Sequence, residues 1–302
     1  MIPQFPEFKV VDVSDRESVE VHTHRYPPYS DFNFTSLWAW DTSGKRMISE
    51  LNHNLVVRFT DYSTGETFLS FLGEVETERT ARVLIDYCKT ERFPTTLKLM
   101  PEISIKDIRS SVLRVEEDRD NFDYLYKVSE HARFLGGDFK RSRNFVNTFT
   151  REYPSARAEV ADLADRGVQH SLVGVIRTWE SNKIGANKTY ELAHEEAAVG
   201  RLFETAGTHK LVVTAVFEGN AVRAFSIDEV LQDQYGISHF QKGDVRYKGI
   251  YDFLIQEKSK HLEVLGVVYI NFEQDLGVEG LRRSKLAYRP MEFLKKYKVS
   301  LS

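Results

Sequence analysis

Apolar and polar positions alternate in short runs along this chain, and the runs are separated by stretches with helical spacing. In the second half the pattern predicts a strand near 156–161, helices near 166–181 and 189–206, and strands near 210–217, 221–230 and 235–241. A helix near 247–262, a strand at 266–271, a helix near 278–288 and a strand near 292–300 follow. Tyr247, Ile250, Tyr251 and Leu254 stand at i, i+3, i+4 and i+7, as an amphipathic helix requires, and Glu218-Gly219-Asn220 between two strands predicts a hairpin. The first half reads in the same order. It has a strand at 8–13, helices near 15–24 and 31–39, and strands near 46–51, 54–60 and 66–72. A helix at 77–90, a strand at 96–100, a short helix at 103–110 and a strand from about 112 complete it. This is a repeat of architecture without a repeat of sequence. Gly136-Gly137 interrupts it, so the expected domains are 1–133 and 134–302, each an α+β unit with a mixed, mostly antiparallel sheet flanked by helices.

Composition narrows the setting. With 302 residues, 41% of them hydrophobic, the chain can bury a substantial core in one large or two smaller domains. Cys88 is the single cysteine, which excludes an internal disulfide or a cysteine-based zinc cluster and suggests a reducing, cytoplasmic setting. No apolar run approaches the ~20 residues that span a bilayer, and the start lacks the pattern of an export signal. The net charge of -4 conceals an asymmetry: residues 281–302 carry seven Lys or Arg against Glu292 alone, net +6, so residues 1–280 sum to -10. A basic end on an acidic body points either to an anionic ligand near the C-terminal half or to a solvated basic face.

The densest candidate chemistry lies between 269 and 290. Apolar Val267, Val268, Tyr269 and Ile270 predict a buried strand that leaves through Asn271, Glu273 and Asp275, the strand end where α/β sheets commonly place ligands. Gly277 and Gly280 punctuate the turn, after which Leu281, Lys285 and Tyr288 share one predicted helix face. Glu273 and Asp275 lie two apart and share a face if the chain is extended. They suit either proton abstraction from an acceptor or capping of the next helix. Tyr288 suits either protonation of a leaving group or anchoring of the helix. Arg282 and Lys285 suit phosphate or carboxylate groups, or salt bridges with the nearby acids.

The element order resembles the GNAT acyltransferase fold. That superfamily places Q/R-x-x-G-x-G/A between a strand and the following helix, where backbone N–H groups hold a pyrophosphate. Here the place reads Arg246-Tyr247-Lys248-Gly249-Ile250-Tyr251; arginine and the first glycine match, while Tyr251 replaces a small residue and would crowd coenzyme A. Asn271, Glu273, Asp275, Leu276-Gly277, Gly280-Leu281-Arg282, Lys285 and Tyr288-Arg289-Pro290 resemble the C-terminal catalytic domain family of phosphatidylglycerol lysyltransferase, two GNAT units in tandem, with Phe272 where that family often shows arginine. The segments 30–38 and 140–147 resemble it too, so the likeness covers nearly the whole chain.

The resemblance implies a transferase in which an acceptor amine or hydroxyl attacks an activated acyl donor directly. The implied donor is aminoacyl-tRNA or acyl-CoA, with no tightly bound cofactor. The implied partners are tRNA, lipid headgroups met peripherally and a small-molecule acceptor. Catalytic candidates are Glu273, Asp275 and Tyr288. Binding candidates are Lys140, Arg141, Arg143, Asn144, Arg246, Gly249, Tyr251, Asn271, Arg282 and Lys285. Asp138 stands as the expected N-cap of a helix whose first turns carry Lys140, Arg141 and Arg143, cations that the helix dipole disfavours unless an anion or solvent compensates. Two other patterns lack a partner: Ala198 stands where a second zinc-binding histidine would follow His194-Glu195, and His22 with His24 has no third ligand nearby. An acetyl-CoA-dependent N-acetyltransferase and a non-catalytic module that binds an anion or lipid remain the alternatives.

Overall fold

The computed structural model describes residues 1–61, 64–183, 193–207 and 210–302. The chain divides into two compact units. One is made of 1–123, 274–282 and 293–302, the other of 124–273 and 283–292. Their boundaries differ from the expected cut at 133/134. The reason lies in two strands that each join the sheet of the opposite half of the sequence.

In chain order the first half forms β1 (Lys9–Val10), α1 (Arg16–Thr23), α2 (Phe34–Ala39), β2 (Met47–Leu51), β3 (Asn54–Thr60), β4 (Thr67–Leu72), α3 (Thr77–Glu91), β5 (Leu97–Pro101), α4 (Glu102–Ile105) and β6 (Leu113–Glu117). Next come β7 (Asp123–Lys127), α5 (Val128–Arg133), α6 (Lys140–Glu152), β8 (Arg157–Ala161), α7 (Arg166–Lys183), α8 (Ala193–Glu204), β9 (Leu211–Glu218), β10 (Ala221–Val230) and β11 (Tyr235–Gly243). The last elements are α9 (Ile250–Val264), β12 (Tyr269–Asn271), α10 (Glu279–Ala287), β13 (Glu292–Leu294) and β14 (Lys296–Leu301). Part of the helix expected at 189–206 lies outside the described residues.

In the first unit β1-β2-β3-β4 form one antiparallel sheet. Alternation along β3 sends Leu55, Val57 and Phe59 to a core with Phe32, Phe34 and Leu37, while Val56 faces the other way, to Leu84, Ile85 and Cys88 of α3. The period-2 strand and period-3.6 helix patterns therefore meet on one side of the sheet, and each fully buried Leu or Ile there contributes about 1.5–3 kcal/mol. The strand expected at 292–300 breaks in two. Its longer part, β14, pairs antiparallel with both β5 and β6, so the end of the chain completes a sheet of the first unit.

The sheet built on the second unit has the strand order β13-β7-β12-β11-β10-β9-β8. β8 to β11 are antiparallel, β11 and β12 are parallel, and β7 lies antiparallel to β12. The hairpin read at Glu218-Gly219-Asn220 joins β9 to β10, with Gly219 at φ +59. α9 and α6 pack on one face, where Phe149, Val216, Ala224, Ile250 and Leu254 close a core. No helix among the described residues is long and apolar enough to cross a membrane.

Candidate functional site

The second unit carries a break in its strand ladder. Ile227 pairs with Phe240 but Asp228 with Ser238, so His239 is the extra residue of a β-bulge in β11. The neighbouring parallel ladder runs over Tyr235–Ile237 against Tyr269–Asn271; β11 continues to Gly243 while β12 stops. Bulges re-aim side chains, and this one directs the buried His239 to two carboxylates. Its Nε2 lies 3.1 Å from Glu229 Oε2 and its Nδ1 3.6 Å from Glu273 Oε1. Burial disfavours the charged ring, but the hydrogen bonds and charges of Glu229 and Glu273 outweigh it and raise the His239 pKa to about 9. At neutral pH the group is an imidazolium between two carboxylates. Glu229 is 1% exposed and Glu273 21%, so only the latter meets solvent.

The turn after β12 sets Glu273 in place. Asn271, fully buried, accepts the Glu273 N–H through Oδ1 at 2.6 Å, an Asx turn, and Glu273 takes φ +57. That conformation breaks the alternation on which a shared face for Glu273 and Asp275 depended. Asp275 points elsewhere and is 0% exposed: Arg282 grips it in a bidentate pair at 2.8 and 2.9 Å, Arg119 adds a contact at 3.3 Å, and Gly277 N–H donates to it at 2.9 Å. A carboxylate so engaged is a structural clamp rather than a base, and the Arg282 that was expected on an anion is spent on it and on Asp120. Lys285 donates to the main-chain carbonyls of Phe272 and Glu273 and so fixes the same turn.

Tyr288 falls just past α10, its N–H bonded to Lys285 O at 3.1 Å, and its ring packs near His131 and Phe134. The phenol faces Asp252, in the first turn of α9. Burial, with the Asp252 charge, pushes the Tyr288 pKa far up, so the phenol stays protonated. Burial also pushes Asp252 up to about 6, against the lowering influence of Ser142, Arg141 and Tyr288. His131, buried among rings with Nε2 2.9 Å from Tyr288 O, is kept neutral by desolvation, its pKa lowered to about 4.

Beside Asp252, a cavity of about 560 Å³ is lined by Gly137, Asp138, Lys140, Arg141, Asn144, Phe145, Thr148 and Lys248. Three of the binding candidates thus come together, joined by Lys248. Arg143 does not join them; its guanidinium donates to the carbonyls of Phe134 and Gly136 and closes the end of α5. Asp138 does not cap α6 either. Phe139 holds the N-cap position without a side-chain bond, and Asp138 is exposed, 3.6 Å from Arg289.

The motif at 246–251 has been put to structural use. Arg246 forms a forked pair with the buried Asp244 at 2.6–3.1 Å. Gly249 has φ +88, and a Cβ there would run into the Phe145 main-chain carbonyl, so the glycine permits close approach of α6. The Tyr251 hydroxyl accepts from Gly243 N–H at 3.0 Å and donates to Gly243 O at 3.3 Å, occupying the last backbone groups of β11.

His239, Glu229, Asp252 and Lys248 escape a reading of the sequence alone. The signal for the first two is the row of polar residues, Ser226, Asp228, Glu229, Ser238 and His239, inside otherwise apolar strands.

Solved structures share this architecture. A conserved protein of unknown function from Bacteroides thetaiotaomicron superposes with a TM-score of 0.83 at 24% identity, covering 100% of both chains. L-PGS from Bacillus licheniformis gives 0.63 at 13% identity, covering 99% of this chain and 93% of its own. A tandem GNAT protein from the clavulanic acid biosynthesis pathway gives 0.51 at 7%, covering 98% of both. The fold is therefore α+β and GNAT-like in tandem. Residues 23–300 match the family described as phosphatidylglycerol lysyltransferase, C-terminal, and the chain belongs to that family. Family and fold relate it to transferases. Among curated proteins, none matches the sequence.

Proposed function

We propose that the protein is an aminoacyltransferase that moves an aminoacyl group from aminoacyl-tRNA to a lipid headgroup or another small amine or hydroxyl acceptor. What carries this assignment is the partly open Glu273 carboxylate, oriented by His239 at the β11 bulge. In the reaction the acceptor nitrogen or oxygen bonds to the acyl carbon while Glu273 takes its proton. The ester bond to the ribose breaks, and the departing oxygen takes up a proton, the role proposed for the Tyr288 phenol. Asn271 and Lys285 hold the turn that presents Glu273.

The close approach of α6 to Gly249 favours this donor over acyl-CoA. The GNAT motif would grip a coenzyme A pyrophosphate at the turn that opens α9, and here α6 packs against that turn, with the Phe145 carbonyl where a Gly249 side chain would stand. A cytoplasmic location fits both the donor and the single buried thiol.

The test is transfer from radiolabelled aminoacyl-tRNA to phosphatidylglycerol or a soluble amine, with acetyl-CoA measured in parallel by thermal shift. Wild type should transfer, and Glu273→Gln should lose a factor of about 10²–10⁴. A rise in melting temperature with acetyl-CoA, or transfer indifferent to Glu273→Gln, would overturn the assignment.

A further inference from the structure

The cavity at the start of α6 is not explained by the transfer step. Lys140 and Arg141 come from the first turn of α6 and Lys248 from the turn before α9, so three cations from two separate segments line one hollow. Lys140 and Lys248 have no carboxylate partner among the described residues, whereas other cations of the chain do: Arg246 has Asp244, Arg282 has Asp275, Lys295 has Glu117 and Lys298 has Asp118. The carboxylate in the lining, Asp138, faces Arg289. The α6 N-terminus lacks a side-chain cap, so its backbone N–H groups and dipole add to the positive field. The Asn144 amide and Thr148 hydroxyl supply neutral hydrogen-bonding groups, and Arg141 is braced against the Phe145 ring at 5.4 Å.

We propose that this cavity binds the phosphate group of a small phosphate ester, held by Lys140, Arg141 and Lys248. A tetrahedral anion accepts from several directions at once. Two compact ammonium groups and one planar guanidinium provide that, whereas a carboxylate would be served by the arginine alone. At about 560 Å³ the hollow has room for the ester substituent as well as the phosphate, with Phe145 as an apolar wall. An extended RNA backbone needs a broad basic surface, whereas these three cations converge on one hollow. The inference uses the transfer reading only for what carries the phosphate, the lipid acceptor being the first source to consider. Binding is measured apart from transfer, so either can fail without the other.

The experiment titrates the full chain with sn-glycerol-1-phosphate, with glycerol as control, by calorimetry. Vesicles of phosphatidylglycerol or phosphatidylcholine and uncharged tRNA are tested separately. The variants are Lys140→Ala, Lys248→Ala and the double substitution, all at exposed positions, with melting temperature checking that the fold survives. Glycerol phosphate should bind and glycerol should not, and the double variant should weaken binding by at least about tenfold. If phosphatidylglycerol vesicles bind through the same lysines and glycerol phosphate competes, the ester is a lipid headgroup; if only the soluble ester binds, it is a free metabolite. The proposal is overturned if wild type takes up no glycerol phosphate, if the double variant binds as well as wild type, or if the lysines serve only tRNA without competition from glycerol phosphate.

Discussion

Each unit holds a buried cation between two carboxylates, and the two sites differ in ways that separate architecture from chemistry. In the first unit Lys296 touches Asp31 and lies 2.7 Å from Asp123, with the Ser30 hydroxyl also donating to Asp123 at 2.7 Å. Lys296 and Asp123 are 0% exposed. Burial works against the ammonium, but Asp123 and Asp31 outweigh it and keep Lys296 charged. In the second unit His239 sits between Glu229 and Glu273, and one of the carboxylates is open to solvent. The first arrangement is closed and joins distant segments: the start of the chain, β7, the β12–α10 turn through Gln274, and β14. The second is open on one side and centred on a group able to titrate. A sealed triad fixes the strand exchange; an open one can exchange protons with a substrate.

Lys296→Met tests the closed half of that contrast and should have the largest effect on stability. Removing the cation leaves the buried Asp31 and Asp123 without the ammonium between them, which costs about 3–5 kcal/mol. Denaturant unfolding should show it, while Glu273→Gln, partly solvated, should shift stability by no more than about 1 kcal/mol. If Lys296→Met were neutral, or Glu273→Gln unfolded the protein, the roles of the two triads would have to be exchanged.

The pH dependence of stability sharpens the same contrast with an effect of about 3 kcal/mol. The folded pKa of His239 lies near 9, above the usual 6.5, so its contribution is complete below pH 6.5 and is lost as pH rises through 9. Unfolding free energy should fall over that window in wild type and much less in His239→Gln. Equal slopes in the two proteins would mean that the imidazole is neutral in the fold.

These contrasts also show how far the sequence could be read. Strand and helix patterns from β2 through β5 and from β8 through α10 were legible because each follows its own local period. The partners of β7 and β14 were not, since a strand's pattern says which face is buried but not which sheet receives it, and both pair across more than a hundred residues. Glu273 was legible as a polar residue beyond an apolar strand. His239 was not, because the bulge that aims it arises from the register between two strands. For Arg282 and Lys285 residue type left ligand binding and salt bridges both open; Arg282 pairs with Asp275, while Lys285 donates to two carbonyls, a contact that only folding creates. Arg246 with Asp244, only two residues apart, could have been recognised as a pair.

The smallest expected effect concerns Asp252, half-buried in the second unit, set against Asp275 in the first, whose charge two arginines satisfy. The folded pKa of Asp252 is raised to about 6 from 3.8, mainly by burial, so its favourable contribution is present below pH 3.8 and disappears as pH rises through 6. At pH 7 the ionised group costs about 1–3 kcal/mol, and Asp252→Asn should stabilise the protein by that amount at pH 7 while gaining nothing near pH 4. A carboxylate kept at such a cost, facing Arg141 and the Tyr288 phenol, is what a site selected for function rather than stability would retain. Destabilisation by Asp252→Asn at pH 7 would place Asp252 with Asp275 among the clamps and remove the proton-handling character assigned to this side of the second unit.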